Sequence, residues 1–285
     1  MRPVTPDDVL DLIDAPVAST ALGAALELGL FWLIDGAPQS GEQIAEKLGI
    51  PPRRCAYWLQ ILCGTGLVEE GSGGFEPTPE ARSAILEPYS RESWTLLARE
   101  ARERLPVLLD LPVHMRRPGS AWQALGLTPP NYVSQMTEDP RRARSFTRML
   151  YELHRPLAED LAAALDLSGV ARVMDLGGGS GVVSMELVSE KPGLEAVVVD
   201  IAAVCKAGGE MVAERGLEER IAYHPGDFLV DELPTGFDLA LECDVNVYSE
   251  DLFRKVRGSL SEGGRFVIID QFAPAAGQAP PTRLH

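Results

Sequence analysis

The chain has 285 residues, of which 45% are hydrophobic, and this composition excludes a disordered, collagen-like or coiled-coil protein and allows two domains with real cores. Its 26 basic and 42 acidic residues give a formal net charge of −16, which makes nucleic acid an unfavourable default partner. The four cysteines lack the spacing of a zinc site and the density of a disulfide scaffold. We therefore expect free thiols, no bound metal and a cytoplasmic location.

The N-terminal sequence MRPVTPDDVLDLID is acidic where a signal peptide is basic and then apolar. No uninterrupted apolar run approaches ~18 residues, the length that a membrane-spanning helix needs. The sequence therefore predicts no membrane partner.

Residues 1–90 alternate helical patterns with short breaks. Apolar and small residues at helical spacing predict a helix over Val17 to Leu33 that ends near Gly36. The segment SGEQIAEKLGI predicts a second helix with a capping box at Ser40, and PPRRCAYWLQILCGTG predicts a third. LVEEGSGGFEPT then predicts a hairpin. Three helices followed by a hairpin are typical of a winged helix.

The local charge decides whether this winged helix binds DNA. Residues 1–90 contain five Lys or Arg and thirteen Asp or Glu, a net charge of −8, whereas a protein that reads the major groove needs the opposite sign. The middle of the would-be recognition helix carries Tyr57, Trp58 and Leu59, which suit a protein interface better than base edges. We therefore interpret residues 1–90 as a dimerisation module.

Residues 91–167 are predicted to be mainly helical, to connect the two domains and to form the acceptor-pocket region, with prolines breaking the helices. Apolar residues at three and four spacing from Phe146 to Leu161 predict one or two helices that lead into the second domain. His154 and Arg155 interrupt this pattern. They belong either to a solvated face or to a pair that points into a ligand cleft.

From Ala171 onward, strands and helices alternate, which indicates a parallel sheet wrapped by helices. The segment VMDLGGGSG is a short strand that runs into a glycine loop, where a ligand could approach the main-chain N–H groups closely. EAVVVDI is a second buried strand. It ends in Asp200, at about the ~20-residue spacing where an acidic side chain binds ribose hydroxyls.

The loop matches neither the GxxxxGK[ST] phosphate loop nor the dinucleotide GxGxxG register, so a ribosylated cofactor without a pyrophosphate fits better. IAYHPGDF predicts a third strand followed by Gly226, Asp227 and Phe228. An aspartate beside an aromatic ring at this place is able to pair with an adenine amino group while the ring packs on its face. FDLALECDV and GGRFVIID predict two further strands.

These motifs in this order, preceded by a winged helix, resemble the class I S-adenosylmethionine-dependent small-molecule O-methyltransferases of secondary metabolism with an N-terminal dimerisation domain. The resemblance implies a Rossmann-like α/β domain over residues 168–285, S-adenosylmethionine as cofactor, a small-molecule acceptor and a homodimer. It also implies a set of cofactor-binding residues: Asp175, Gly177, Gly178, Gly179, Asp200, Ile201, Gly226, Asp227, Phe228 and Cys243. The competing interpretation of the glycines is a tight strand-to-helix turn without a ligand.

The sequence departs from this family at the base that activates the acceptor. In the family, a His serves as general base two residues before a Trp, and here Asn246 and Tyr248 stand at these positions. An amide accepts no proton at neutral pH, so Asn246 would orient an acceptor without activating it. A basic residue four positions before the His is replaced by Glu242. The family also continues past the fifth strand with a helix and two more strands, which this sequence is expected to lack.

The sequence therefore predicts methyl transfer to a small molecule, with a hydroxyl as the first choice and carbon or nitrogen as the other acceptor atoms. Proximity and orientation supply much of the rate in such a displacement. The acceptor is then already acidic, or is a carbon or nitrogen nucleophile, or uses a base from elsewhere, for which Asp244, Tyr248 and His154 are the candidates. The alternative is a methyltransferase-like protein that binds ligands without catalysis.

Overall fold

A computed structural model describes residues 5–119, 121–124, 126, 131–270 and 272 of the chain. The chain divides into two compact units, Met1–Asn131 and Tyr132–His285. The division falls inside the segment 91–167, for which the sequence predicted a helical connector. The expected absence of further strands after the fifth concerns residues that lie outside the described ones.

The first unit is mainly helical. Its elements are α1 (Pro6–Leu28), α2 (Leu30–Asp35), α3 (Gly41–Leu48), α4 (Pro52–Gly64), β1 (Val68–Gly71), β2 (Gly74–Pro77), α5 (Pro79–Ala81), a π-helical turn (Arg82–Leu86), α6 (Arg91–Leu109), α7 (Leu111–His114) and α8 (Ala121–Ala124). β1 and β2 form an antiparallel hairpin. The capping box predicted at the start of α3 is present, since Ser40 and Gln43 bond to each other's backbone N–H groups.

The predicted helix over Val17 to Leu33 is wrong in its bounds. The helix α1 begins much earlier, at Pro6, where Thr5 caps it in a capping box with Asp8. It ends at Gly29, whose φ of 76° lies in the left-handed region that stops a helix, and α2 follows as a separate helix. The apolar periodicity continues across this break, so the pattern alone did not reveal it.

The two halves of α1 have different surroundings. Its C-terminal half contributes Ala21, Ala25 and Leu26 to a core that also contains the buried Phe31 and Leu59. The apolar side chains of its N-terminal half are exposed instead. These exposed side chains are Val9, Leu10, Leu12, Ile13 and Val17.

Among the described residues, α1 alone is long and apolar enough, by length and composition, to cross a membrane. The sequence prediction missed this because Asp11 and Asp14 interrupt the apolar run. The observation is weak evidence for a membrane span, since core helices of soluble proteins and signal sequences meet the same criterion.

The second unit holds one sheet with flanking helices. Its elements are α9 (Tyr132–Glu138), α10 (Pro140–Ala164), β3 (Arg172–Leu176), α11 (Val182–Glu190), β4 (Glu195–Asp200), α12 (Ala202–Glu214), β5 (Ile221–Pro225), β6 (Phe237–Cys243), α13 (Glu250–Ser259) and β7 (Leu260–Ile269). The strands run parallel in the order β5-β4-β3-β6-β7. The predicted Rossmann-like fold is thus confirmed, with its five strands where the sequence placed them.

The strand order positions a site at the carboxyl edge of β3. The chain moves outward from β3 to β4 and β5 on one side, and later to β6 and β7 on the other. In open parallel sheets, ligands bind outside the carboxyl ends of the strands where this order reverses. The loops after β3, β4, β5 and β6 therefore meet at one place.

Buried side chains hold both faces of the sheet against helices. Val173, Val198 and Leu239 pack on the face covered by α10, α11 and α12. Met174 and Ala240 pack on the other face with Leu252 and Val256 of α13. These two cores fix the strand ends that carry the site.

Candidate active site

The loop between β3 and α11 requires glycine for its backbone conformation. Gly177, Gly179 and Gly181 have φ angles of 69°, 54° and 73°, which side-chain-bearing residues rarely adopt. A Cβ on Gly177 would also lie 2.7 Å from the side chain of Val245. The glycines predicted from the sequence thus allow both the sharp turn and the close approach of the neighbouring loop.

Asp175, at the carboxyl end of β3, is fully buried beneath this loop. Its Oδ2 accepts a hydrogen bond of 2.8 Å from the Ser184 hydroxyl. Its Oδ1 is buried too and has no hydrogen-bond partner among the described residues. Burial raises the pKa of this carboxyl to about 6. An orphaned buried oxygen at a ligand site is a vacant acceptor for a donor group of the ligand.

Asp200, at the end of β4, connects the second strand to the glycine loop. Its Oδ2 accepts from the Gly179 N–H at 3.0 Å, and its Oδ1 accepts from the Ile201 N–H at 2.7 Å. Burial, with a smaller contribution from the charge of Asp175, raises the pKa of Asp200 to about 6 despite the two backbone hydrogen bonds that lower it. Its carboxylate therefore fixes the loop conformation at the position where the sequence predicts a ribose.

The turn after β5 contributes the predicted adenine-binding pair. The N–H of Asp227 donates to Asp231 at 2.8 Å, while its own Oδ1 accepts from the Leu229 N–H at 2.9 Å. Asp227 and Phe228 line the same cavity as the glycine loop. Gly226 does not line it, and its N–H instead donates to the carbonyl of Asp200 at 2.9 Å.

All these groups surround one cavity of about 480 Å³ in the second unit. A cavity of this size falls in the range of small-molecule sites. The described residues that line it are Tyr132, Val133, Phe146, Leu150, His154, Asp175, Gly177, Gly178, Gly179, Ser180, Val182, Val183, Asp200, Ile201, Asp227, Phe228, Leu229, Cys243, Asp244, Val245 and Val247. Nine of the ten predicted cofactor-binding residues are in this set.

The helices α9 and α10 supply a wall within the segment predicted to form the acceptor pocket, but the sequence did not predict which of its apolar residues would line the cavity. Tyr132 comes from α9, and Phe146 and Leu150 come from α10. The Tyr132 and Phe146 rings meet edge to face, with centroids 5.7 Å apart. In a sequence, apolar residues at helical spacing have the same pattern whether they line a cavity or pack in a core. No local signal therefore identified these residues as cavity-lining.

His154 lies on the same wall, four residues after Leu150. The structure therefore favours the cleft for His154 over the solvated face. Its Nε2 is 3.3 Å from Oδ2 of Asp244, in the loop after β6. Arg155, its neighbour, points elsewhere and pairs with Glu159 at 3.4 Å.

Asn246 and Tyr248, the other two predicted catalytic residues, are exposed and are not among the cavity-lining residues that the structure describes. The backbone N–H of Asn246 and the hydroxyl of Tyr248 both donate to Oδ2 of Asp270, at 3.0 and 2.5 Å. This hydrogen bond raises the pKa of the Tyr248 phenol to about 12. Both side chains are thus separate from the group of residues around His154.

Tyr223, on β5, supports the glycine loop from behind and was also missed by the sequence interpretation. Its hydroxyl donates to the carbonyl of Gly179 at 3.3 Å. A Cβ on Gly208 of α12 would lie 2.1 Å from the same hydroxyl. The loop is therefore held on one side by Asp200 and on the other by Tyr223.

Comparisons with known proteins agree with this architecture. A family model for the O-methyltransferase domain matches residues 109–284, and one for the O-methyltransferase dimerisation domain matches residues 10–85. The chain superimposes on the structure of the mitomycin 7-O-methyltransferase MmcR with a TM-score of 0.81 and 23% identity, over 95% of this chain and 82% of that one. This likeness shows the fold.

Three of the curated relatives from Streptomyces illustrate the range of acceptor atoms. A 3-hydroxy-5-methyl-1-naphthoate 3-O-methyltransferase of S. sahachiroi is 31% identical over 93% of this chain and 77% of its own length. An N,N-dimethyltransferase, OxyT, of S. rimosus is 29% identical over 92% and 77%. An L-tyrosine C(3)-methyltransferase of S. lavendulae is 26% identical over 91% and 73%. These relatives methylate oxygen, nitrogen and carbon.

The family match covers more than half of the chain, and it agrees with the glycine loop, the acidic strand ends and the sheet order. The helical first unit agrees with the dimerisation-domain match. The chain therefore belongs to the O-methyltransferase family, an enzyme family that takes its methyl group from S-adenosylmethionine.

Proposed function

We propose that the chain transfers a methyl group from S-adenosylmethionine to a hydroxyl of a small aromatic molecule bound in the cavity. The observation that carries this proposal is the two-sided lining of one cavity. Carboxylates and the glycine loop lie on the sheet side, while two aromatic rings, an aliphatic side chain and an imidazole lie on the α9 and α10 side. The first side suits a cationic nucleoside, and the second suits a flat apolar acceptor.

The residues present fit the cofactor. The orphaned Oδ1 of Asp175 offers an acceptor to the methionine part, Asp200 faces the ribose, and Asp227 with Phe228 holds the adenine. Gly177 and Gly179, whose φ angles are positive, have no Cβ that would obstruct the approach of the cofactor to the loop. The bound cofactor supplies a sulfonium methyl, which an aligned nucleophile displaces in line.

The chain's main contribution is to hold the acceptor atom close to that methyl and to exclude water. Such positioning is worth up to ~7–11 kcal/mol of the barrier in well-oriented systems. Asn246 replaces the family's catalytic His in sequence, so no imidazole stands at that position. We propose a hydroxyl acceptor rather than nitrogen or carbon, because the matched domain is an O-methyltransferase domain and the most identical of the three relatives methylates oxygen.

The test begins with calorimetric titration of S-adenosylmethionine into the full chain and into Asp200→Ala. We expect the variant to bind about ten- to hundredfold more weakly, from the loss of charge-assisted hydrogen bonds of ~1.5–3 kcal/mol. Glu195→Ala serves as the matched control, since Glu195 is an exposed acidic residue at the opposite end of β4 and is not among the residues that line the cavity. Equal affinity of Asp200→Ala and the wild type would exclude the assigned ribose site.

The transfer itself is tested with 3-hydroxy-5-methyl-1-naphthoate as the probe acceptor, together with amine and carbon-acid analogues. We expect formation of S-adenosylhomocysteine and an O-methylated product. Methylation of an amine or carbon acid alone would contradict the hydroxyl assignment.

A second candidate function is ligand binding without catalysis. Its support is that Asn246 and Tyr248 lie outside the cavity and that Glu242, which replaces a basic family residue, is fully buried, so that burial raises its carboxyl pKa. Cofactor binding without turnover of any acceptor would favour this function.

We further propose a reducing, cytoplasmic location. All four cysteines are free in the structure, and Cys55 and Cys205 are buried. Cell fractionation of the producing organism tests this, and recovery of the chain outside the cytoplasm would contradict it.

A further inference from the structure

His154 is a polar residue in an otherwise apolar row of α10. Phe146, Leu150 and His154 follow each other at intervals of four residues, which places them on one face of the helix, and all three line the cavity. The His154 side chain keeps 25% of its surface exposed. An imidazole on the acceptor side of the cavity is thus in a position to reach a bound hydroxyl.

Asp244 approaches this imidazole from the sheet. Its φ of 55° is rare for a residue with a side chain and is maintained by its N–H, which donates to the Ile269 carbonyl at 2.8 Å. The hydrogen bond thus ties the Asp244 backbone to β7, and the Asp244 carboxylate lies 3.3 Å from the His154 Nε2. Helix and sheet therefore bring an imidazole and a carboxylate together inside the cavity.

We infer that His154 is the proton acceptor of the methyl transfer and that Asp244 is its positioning residue. This inference rests on the proposed function. A carboxylate only accepts hydrogen bonds, so a neutral imidazole that hydrogen-bonds to Asp244 across this 3.3 Å contact would carry its proton on Nε2. Its Nδ1 then keeps the lone pair that takes a proton from the acceptor. His154 from α10 and Asp244 from the loop after β6 thus supply the general base that the family has at the position of Asn246.

The transfer forms one bond to the methyl carbon and breaks another. The acceptor oxygen forms a bond to the methyl carbon, the bond from that carbon to sulfur breaks, and its electron pair stays on sulfur. The hydroxyl proton moves to Nδ1 of His154. The resulting imidazolium carries one positive charge, which the Asp244 carboxylate at Nε2 stabilises.

The first test reads the imidazole itself in the full chain without cofactor. Nitrogen-15 chemical shifts of His154, at a pH where the ring is neutral, report which nitrogen carries the proton. We expect a single Nε2–H tautomer in the wild type and a mixture of tautomers in Asp244→Ala. Arg155→Gln is the control, because it removes a neighbouring charge on α10 that pairs only with Glu159 among the described residues. A mixture in the wild type, or no change in Asp244→Ala, would overturn the inference.

The second test measures kcat and KM with 3-hydroxy-5-methyl-1-naphthoate at saturating S-adenosylmethionine. His154→Gln should lower kcat by ~10²–10⁴, the usual effect of losing a general base, without changing the affinity for S-adenosylmethionine. Asp244→Ala should lower kcat less, Asp244→Glu should restore part of it, and Arg155→Gln should leave it unchanged. The kcat of the wild type should rise with pH, and this rise should be absent in His154→Gln.

The other titratable groups that face the cavity are Tyr132, Asp175, Asp200, Asp227 and Cys243. Saturating S-adenosylmethionine removes from kcat the part of their effect that acts through cofactor affinity, and the comparison with His154→Gln isolates the part that depends on the imidazole. If the kcat of His154→Gln stayed within fivefold of the wild-type kcat, the role of His154 as the base would be wrong, but the proposed function would stand. Absence of wild-type turnover with every acceptor would overturn the proposed function and the base with it.

Discussion

At the scale of single residues, the two buried carboxyls at the strand ends set the pH dependence of the site. Burial raises the pKa of Asp175 and of Asp200 from about 4 to about 6. The folded, cofactor-free chain thus binds these protons more strongly than the unfolded chain does. Their contribution to stability is full below pH ~4 and is lost as the pH rises through ~6.

Cofactor binding should follow the opposite trend, because the ribose and ammonium groups of S-adenosylmethionine are donors that need ionised carboxylates. With a pKa of about 6, one such group is about 90% ionised at pH 7 and about 10% ionised at pH 5, so we expect at least a tenfold loss of affinity across this range. Calorimetric titration at both pH values measures it. In Asp200→Asn, the dependence should be weaker, and an unchanged dependence would assign it to Asp175.

A substitution at Asn246 tests whether its side chain takes part in the chemical step. Its side chain is exposed, and the interaction that the structure shows is made by its backbone N–H with Asp270. Asn246→Ala keeps this N–H, so we expect kcat to fall less than about tenfold, the worth of one hydrogen bond. Part of any loss comes from the φ of 61°, which Ala tolerates less well than Asn.

Asn246→Gly is the control for this backbone effect, since glycine adopts positive φ freely. Steady-state kinetics with confirmed cofactor binding provide the measurement. A thousandfold loss in both variants would place Asn246 in the chemical step.

At the scale of elements, α12 contains a matched pair of glycines with opposite roles. A Cβ on Gly208 would lie 2.1 Å from the Tyr223 hydroxyl and 2.5 Å from the Gly179 carbonyl, whereas a Cβ on Gly209 has only an ordinary contact at 3.9 Å. Gly209→Ala should stabilise the chain by roughly 0.5–1 kcal/mol, the difference in helix propensity. Gly208→Ala should destabilise it by roughly 1–3 kcal/mol through overpacking.

Chemical denaturation of the two variants measures these changes, and calorimetry shows whether Gly208→Ala also weakens cofactor binding through the glycine loop. Equal stabilities of the two variants would contradict the close packing of α12 against this loop.

The elements around the cofactor could be predicted from the sequence because their signals are local. A glycine run after a short apolar strand, an acidic residue at the next strand end and an Asp-Phe pair after the third each occupy consecutive positions. The break at Gly29 was not predicted, because the apolar pattern runs through it and only the backbone conformation shows the stop.

The acceptor side of the cavity could not be predicted in the same way. Tyr132, Phe146 and Leu150 have the spacing of core residues, and what distinguishes them is the empty space in front of them. The pairing of His154 with Asp244 joins residues 90 positions apart and depends on the strained backbone after β6. The cavity lining and the contact between His154 and Asp244 are therefore visible only in the folded chain.

At the scale of the whole molecule, the exposed apolar side chains of α1 predict a homodimer, in agreement with the dimerisation-domain match. Ile13 is 66% exposed and Leu10 is 56% exposed, although both are large and apolar. Ile13→Glu should therefore shift the full chain from dimer to monomer at micromolar concentration, because a buried, unpaired charge is costly at an interface.

Light scattering measures the mass of the wild type, of Ile13→Glu and of the control Asp14→Ser, which changes a neighbouring exposed polar position. A monomeric wild type would contradict the dimer, and a dimeric Ile13→Glu would place the interface elsewhere.

Three of the four carboxylates that line the cavity also bear on how the enzyme exchanges its ligands. S-adenosylmethionine arrives with a positive sulfonium, and Asp175, Asp200 and Asp227 lie within a chain whose net charge is −16. Their field accelerates the encounter with cations and weakens as ionic strength rises. Transfer turns the sulfonium into a neutral thioether, so the spent molecule loses this part of its attraction while its other contacts remain. The same acidic groups thus favour binding of the donor over retention of its product.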